Sequence, residues 1–301
     1  MPTMYADVES RPRLPPWEMF ALCMAAFARN APAGLHLSGW SAACVWGLPS
    51  RGSPPQRVDA IAPSFGSAGG WSSGVARVRR ATLTEHHRDV AQGARVVSLG
   101  MAAATVALDA PLPTALMVAD AAARRGADLT ESASHLAGWK GAVRARWVAA
   151  HASPAAESPL ESLGRFAGIQ AGLPGMVPNA WVGPGHPQFR VDGLWPHHWA
   201  AVEADGAVKY NDRPDANSIV MRQAEREWIL RNQCGLDLLR FGYQHTQDLD
   251  DLGARMAGLL VRNPARRVPM QWWKHEPGKG PVEPAPEDWP SAVPGGATLP
   301  R

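Results

Sequence analysis

Three carboxylates lie close enough in the sequence, and with the right alternation, to share one small patch of sheet. Residues 189–206 read as two short strands joined by a tight connection. Side chains alternate between faces along a strand, so Arg190 and Asp192 point one way while Phe189 and Val191 point the other. On the second strand Glu203 and Asp205 share a face opposite Val202 and Ala204. Pairing in the register that stacks the apolar faces brings Asp192, Glu203 and Asp205 to one side. Carboxylates gathered like this repel one another unless a cation sits among them, which is the logic of a divalent-metal site. Oxygen donors of this kind suit Mg²⁺ or Mn²⁺. Glu203 carries most weight, because it sits in the apolar run Ala200, Ala201, Val202, Ala204, and a carboxylate there needs partners or a metal.

The elements that must position these acids are legible on both sides. Ser158, Pro159, Leu160 and Glu161 form a helix start: serine at the cap, proline at the first helical position and glutamate three after the cap. Glu161 is therefore a capping-box partner of Ser158 at the least. The helix runs on through Leu163, Phe166 and Ile169 to Gly172. After the two strands come a loop through Lys209 and a helix over residues 218–233 bearing Arg222, Glu225, Arg226, Glu227 and Arg231. A last strand spans residues 236–241. The arginines of that helix read either as a solvated face salt-bridged to its glutamates or as contacts to phosphates. His197 and His198 are adjacent and so face opposite sides of a strand, as do His86 and His87, which argues against either pair sharing a metal.

The order helix, strand, strand, helix, strand, with an acid on the first strand and an acidic pair on the second, resembles the PD-(D/E)XK nucleases. It resembles more closely a branch related to very-short-patch repair endonucleases. The matching residues are Ser158 to Glu161, Arg190 to Pro196, Glu203 to Gly206 and Lys209 with Tyr210. Glu225 to Arg231, Gly235 and Arg240 complete the match. The resemblance implies a restriction-endonuclease-like mixed sheet flanked by helices and Mg²⁺- or Mn²⁺-dependent hydrolysis of DNA phosphodiester bonds. Asp192, Glu203 and Glu161 would be metal ligands. Arg190, Arg222, Arg226 and Arg231 would meet the nucleic acid. The family's lysine, two positions after the second acid, is replaced here by Asp205. Lys209 would substitute for it, or Asp205 would be a third ligand. Loss of that lysine is also what a non-catalytic DNA-binding regulator on the same fold would show.

The preceding region reads as mostly helical with a few strands. A buried helix covers residues 17–29, and a short one covers 41–46. Strands are expected at 58–62, 75–79 and 95–98, and helices at 101–109, 113–125, 129–136 and 140–151. Arg77, Arg79 and Arg80 read as a solvated strand edge. Residues 36–49, 94–98 with 101–109, and 119–126 resemble AbiEi-type antitoxins of type IV toxin–antitoxin systems, which implies a toxin protein as a partner. The few residues before Trp17 are too short for the winged helix-turn-helix with which such proteins open.

The expected organisation is a loose stretch over 1–15, an AbiEi-like domain over 16–152, a nuclease-like domain over 153–262 and an unstructured Pro/Gly-rich tail over 263–301. At 301 residues with 46% apolar content the chain can bury a sizeable core, and a net charge of +3 permits a nucleic-acid partner without demanding one. Cys23, Cys44 and Cys234 have no framework spacing and read as reduced thiols. With no apolar run of about 18 residues and no signal-peptide order at its start, the chain is expected to be cytoplasmic with no membrane partner.

Overall fold

The computed structural model describes residues 14–63, 71–206, 216–293 and 298–300. It is a mixed α/β structure in two compact units: residues up to Ala110 with Ala127–Ala149, and Pro111–Gly126 with the chain from Ala150 onward. None of the described helices is long and apolar enough to cross a membrane.

The first unit is built on a sheet. In chain order it holds α1 (Pro16–Asn30), β1 (His36–Leu37), α2 (Gly39–Val45), β2 (Val58–Ala62), β3 (Trp71–Ser72) and β4 (Ala76–Arg80). After these come β5 (Arg88–Ala91), β6 (Ala94–Val97) and α3 (Leu99–Ala107). The strand order is β3-β4-β2-β1-β6-β5, so the sheet is wider than the three strands expected from the sequence. Strand β2 is apolar apart from Asp59 and buried along almost its whole length, as a strand covered on both faces must be. Asp59 survives there because Arg77 Nε donates to its Oδ1 at 2.7 Å. The expected solvated edge is not one. β4 lies inside the sheet, paired with β2 and β3, and Arg77 and Arg79 both reach Asp109, at 2.8 and 2.6 Å.

The second unit opens with α4 (Leu112–Arg124), which the contact pattern groups here and not with the helices around it in sequence. Between the two come α5 (Leu129–His135) and α6 (Ala142–His151), most of whose residues belong to the first unit. Then follow α7 (Pro159–Gln170), β7 (Val177–Val182), β8 (Phe189–Trp195), β9 (Ala200–Asp205), α8 (Ala216–Asn232), β10 (Asp237–Gly242) and α9 (Leu249–Arg262). Strands β7, β8 and β9 form an antiparallel meander. The crossover through α8 returns β10 parallel to β9, giving the order β10-β9-β8-β7.

One face of this sheet buries Trp195, Val202 and Phe241 under α7 and α9. Helix α9 supplies Leu252, Met256, Leu259 and Leu260, the spacing of a single helical stripe. The approach of α7 depends on Gly164, where a Cβ would lie 2.4 Å from the Phe241 ring. The other face buries Val191, Leu194, Ala201 and Leu238 under Leu230 of α8.

The tail departs from its expectation. Met270 and Trp272 complete that second core, and Trp181 of β7 exchanges backbone hydrogen bonds with Trp273 at 2.8 and 2.9 Å. A hairpin follows, β11 (Lys274–Glu276) and β12 (Gly280–Val282). Composition hides this, because a few large aromatic side chains in a polar stretch bury as much surface as a longer run of small apolar ones.

Candidate functional site

The site sits where two strands part. Cross-strand pairing of β8 with β9 runs from Trp195↔Ala200 to Gly193↔Val202 and stops. Beyond that point β8 stays with β7 as far as Phe189↔Val182, and β9 stays with β10 as far as Asp205↔Gly242. Asp192 and Glu203 are the first residues past the last pair, one on each arm of the fork. Asp192 Oδ2 accepts from Ala204 N–H at 2.7 Å, so a side chain supplies the acceptor that the partner strand no longer offers. Asp192 and Glu203 are near enough for each to feel the other's charge. Simple alternation does not hold through this stretch, since Val191 and Leu194 are buried in the same core, and among the described residues no three acids are grouped to share an ion.

Glu161 joins them from α7. Ser158 Oγ accepts from Glu161 N–H at 3.2 Å, as expected, but the carboxylate reaches back to Glu157 N–H, at 2.9 Å. The same Oε2 accepts from Asn179 Nδ2 at 2.7 Å, and that amide also donates to Ala155 O at 2.7 Å. Asn179 is buried, and its φ of +53° lies in the left-handed region, where asparagine is among the few non-glycine residues tolerated. It interrupts the β7–β8 ladder between Pro178↔Gly193 and Ala180↔Val191, across from Asp192.

Electrostatically the two arms differ. Asp192 is pushed up from 3.8 to about 6, first by burial and then by repulsion from Glu161 and Glu203, against the pull of the Ala204 N–H and Arg226. Glu203 is also raised by burial, but Arg226 and Arg240 oppose the shift. Arg226 Nη2 is 2.5 Å from Glu203 Oε1 and 2.6 Å from the carbonyl of Arg190. Arg240 faces Glu203 directly in the β9–β10 register, with its Nη2 3.0 Å from Oε2, and Nη1 lies 3.5 Å from Asp205 Oδ2. Glu227 of α8 lies 3.8 Å from Arg240 Nε and 3.0 Å from Arg231 Nε.

The expected nucleic-acid contacts divide. Arg190 makes a two-pronged pair with Glu157, 2.7 Å at each oxygen, with His275 Nε2 of the tail 3.7 Å from the same carboxylate. Arg226 is on Glu203 and Arg231 on Glu227, while Arg222 stands on the exposed surface of α8. Lys209 lies outside the described residues. His198 Nδ1 is 2.7 Å from Asn263 O, a structural contact between the turn joining β8 to β9 and the residue that ends α9.

Three participants are absent from a reading of the sequence: Asn179, Glu157 and Arg240 in its pairing with Glu203. The only available signals were indirect, an asparagine inside an apolar run and an arginine two residues before the end of a buried strand.

The donor chemistry fits a hard divalent cation at Asp192 and Glu161. Both are carboxylates, and the raised Asp192 is what a nearby positive charge would relieve. Mg²⁺ is commonly held by one or two carboxylates together with water and substrate phosphate. Among the described residues no group of three His, Cys, Asp or Glu side chains is placed to share an ion. Glu203 in particular has an arginine nitrogen on each oxygen. Comparison with known proteins finds no matching family model, no matching curated protein and no matching solved structure.

Proposed function

We propose that the second unit is a nuclease-like domain that binds the backbone of DNA and hydrolyses a phosphodiester bond with Mg²⁺ or Mn²⁺. The observation that carries this is Asp192 at the fork, half-buried near Glu161 and Glu203 and pushed up to about 6. Besides capping the Ala204 N–H, a carboxylate raised in this way by its acidic neighbours is one that a bound cation would relieve. Asp192 and Glu161 would hold the ion. Bound there, it would supply Lewis acidity toward a phosphoryl oxygen and lower the pKa of a bound water.

The chain's own residues do the rest. The Ala204 N–H fixes the Asp192 carboxylate, Asn179 fixes that of Glu161, and Asp205 keeps Arg240 turned along the strand. The test is cleavage of plasmid and linear DNA with Mg²⁺ or Mn²⁺ by the wild type and by Asp192→Asn and Glu161→Gln. Metal-dependent cutting abolished in Asp192→Asn supports the reading, and absence of cutting by the wild type under every condition sinks it.

A second reading rests on the two arginines of Glu203. If the cation site never fills, the same surface is a DNA-binding regulator. It would then bind DNA equally well in Mg²⁺ and in EDTA and never cleave it.

A further inference from the structure

Resting on the reading of the fork as a phosphodiester site, we propose that Glu203 is a positioning residue for Arg226 and Arg240. In that role the Arg226 guanidinium grips a nucleic-acid phosphate, Arg240 completes the ion pair on the other Glu203 oxygen, and the cation is held by Asp192 and Glu161 without Glu203. The first ground is occupancy. Both Glu203 oxygens already sit on guanidinium nitrogens, at 2.5 and 3.0 Å. To ligate a cation Glu203 would have to release two arginines; Arg226 would lose the acid it is bonded to, and Arg240 would be left to Asp205 and Glu227, at 3.5 and 3.8 Å.

The second ground is accessibility. The Glu203 side chain is 5% exposed, whereas those of Arg226 and Arg240 are 29% and 28% exposed. An anion arriving from solvent meets Arg226 before Glu203, whereas on the Arg240 side it also meets Asp205 and Glu227, whose side chains are 33% and 34% exposed. The third is the way Arg226 is held. Both of its close bonds, to Glu203 Oε1 and to the Arg190 carbonyl, run through Nη2. One nitrogen thus sets the plane of the group, and the remainder of its fork of N–H donors is not needed for anchoring. A planar fork fixed in advance matches a phosphate's oxygens at low entropic cost.

The fourth ground is placement. Arg226 comes from α8 and spans the fork, bonded to Glu203 on one arm and to the Arg190 carbonyl on the other, the arm that carries Asp192. A phosphate on Arg226 would lie beside the acid that holds the ion.

Two titrations test this on the full-length protein. Anisotropy of a labelled DNA duplex in EDTA, across a salt series, reads the phosphate contacts without any cation. Calorimetry with Mn²⁺ alone reads the cation site without any DNA. Glu203→Gln and Arg226→Gln are expected to weaken DNA binding roughly tenfold and to lower the salt slope by about one, as loss of one phosphate contact does. Their Mn²⁺ affinity should stay within about twofold. Asp192→Asn should show the reverse: Mn²⁺ binding lost and the salt slope kept.

Arg255→Gln, which removes an exposed arginine paired with Asp251 on α9, controls for loss of positive charge alone. Arg226→Gln remains decisive if Glu203→Gln does not fold, because Glu203 keeps Arg240. The proposal is overturned if Glu203→Gln loses Mn²⁺ binding as Asp192→Asn does, or if Arg226→Gln leaves the salt slope unchanged. It is also overturned if the wild type ignores DNA in EDTA, or if inorganic phosphate displaces DNA at micromolar concentration, which would make a free phosphate the occupant. Cleavage is not read in either titration. A protein that binds through Arg226 but never cuts therefore fails the hydrolytic reading and not this one.

Discussion

Asp120 and Glu203 are both buried carboxylates held by arginine, and they are put to different uses. Arg165, only 13% exposed, gives Nη1 to Asp120 at 2.7 Å and Nη2 to the His151 carbonyl at 2.8 Å. Ser153 N–H donates to the other Asp120 oxygen, at 2.7 Å. Every charge and donor in that knot is turned inward, so it rivets α4 to α7 and offers nothing to solvent. At Glu203 the arginines are about twice as exposed and come from two elements, one of them the neighbouring strand. Burial of the acid does not tell these two pairs apart, and exposure of the base does; the arginine of Asp59, 40% exposed and shared with Asp109, shows that exposure alone does not make a presented surface.

The sharpest way to break this comparison is to remove the rivet. Asp120→Ala leaves the Arg165 guanidinium without a counter-charge and the Ser153 N–H without its acceptor. It is expected to cost about 3–5 kcal/mol in denaturant unfolding, with DNA binding by the folded fraction unchanged. An equal loss of DNA binding would show that the two sites do not differ as described.

Next in size is the pH response of Asp192. Its folded value, about 6, lies above the unfolded one near 3.8. Between those values the folded state binds more protons than the unfolded state, so stability falls as pH rises through the window, by roughly 3 kcal/mol at most. Asp192→Asn, which can still accept from Ala204 N–H, should abolish that slope and be more stable than the wild type at pH 7. Mn²⁺ competes with the same proton, so its affinity should climb with pH up to about 6 and level off above. Thermal unfolding and Mn²⁺ titration at several pH values measure both.

The smallest expected effect is at Asn179. Asn179→Ala loses the bonds to Glu161 and Ala155 and leaves a left-handed φ to a residue that tolerates it less well than asparagine, at a cost of about 1–3 kcal/mol. Asn179→Gly, which accepts that φ, should cost less while weakening Mn²⁺ binding to the same degree, because Glu161 loses its support either way. Calorimetry on both variants separates the backbone effect from the aim of Glu161.

Much of the second unit was legible because its signals are local. The serine, proline and glutamate that open α7 are a start signal within one turn. The alternation in β8 and β9 marks both as strands and flags Asp192 and Glu203, which end up one on each arm of the fork. Strand β7 was not legible. Pro178 and the left-handed Asn179 interrupt its pattern, and both are tolerated only because the strand lies at the end of the sheet order. The partners of the arginines were not legible either. Sequence shows Arg226 between Glu225 and Glu227, but residues one apart on a helix do not face each other, so neither is its natural partner. The contact made instead, to Glu203 across 23 positions, exists only once α8 is laid on the sheet. The grouping of α4 with α7 has the same cause, since Asp120 and Arg165 are 45 positions apart.

The exchange of hydrogen bonds between Trp181 and Trp273 makes the final stretch of chain a structural component that happens to be tethered. Residues 264–268 leading to it are exposed and include Arg266 and Arg267, a natural point of attack for a trypsin-like protease. A cut there would sever the covalent thread without releasing the piece, because Met270 and Trp272 stay buried in the core and Trp273 stays on the outer side of β7. The nicked protein would migrate as a single particle until unfolded. The two fragments, expressed apart, would be expected to find each other and complete the sheet between them.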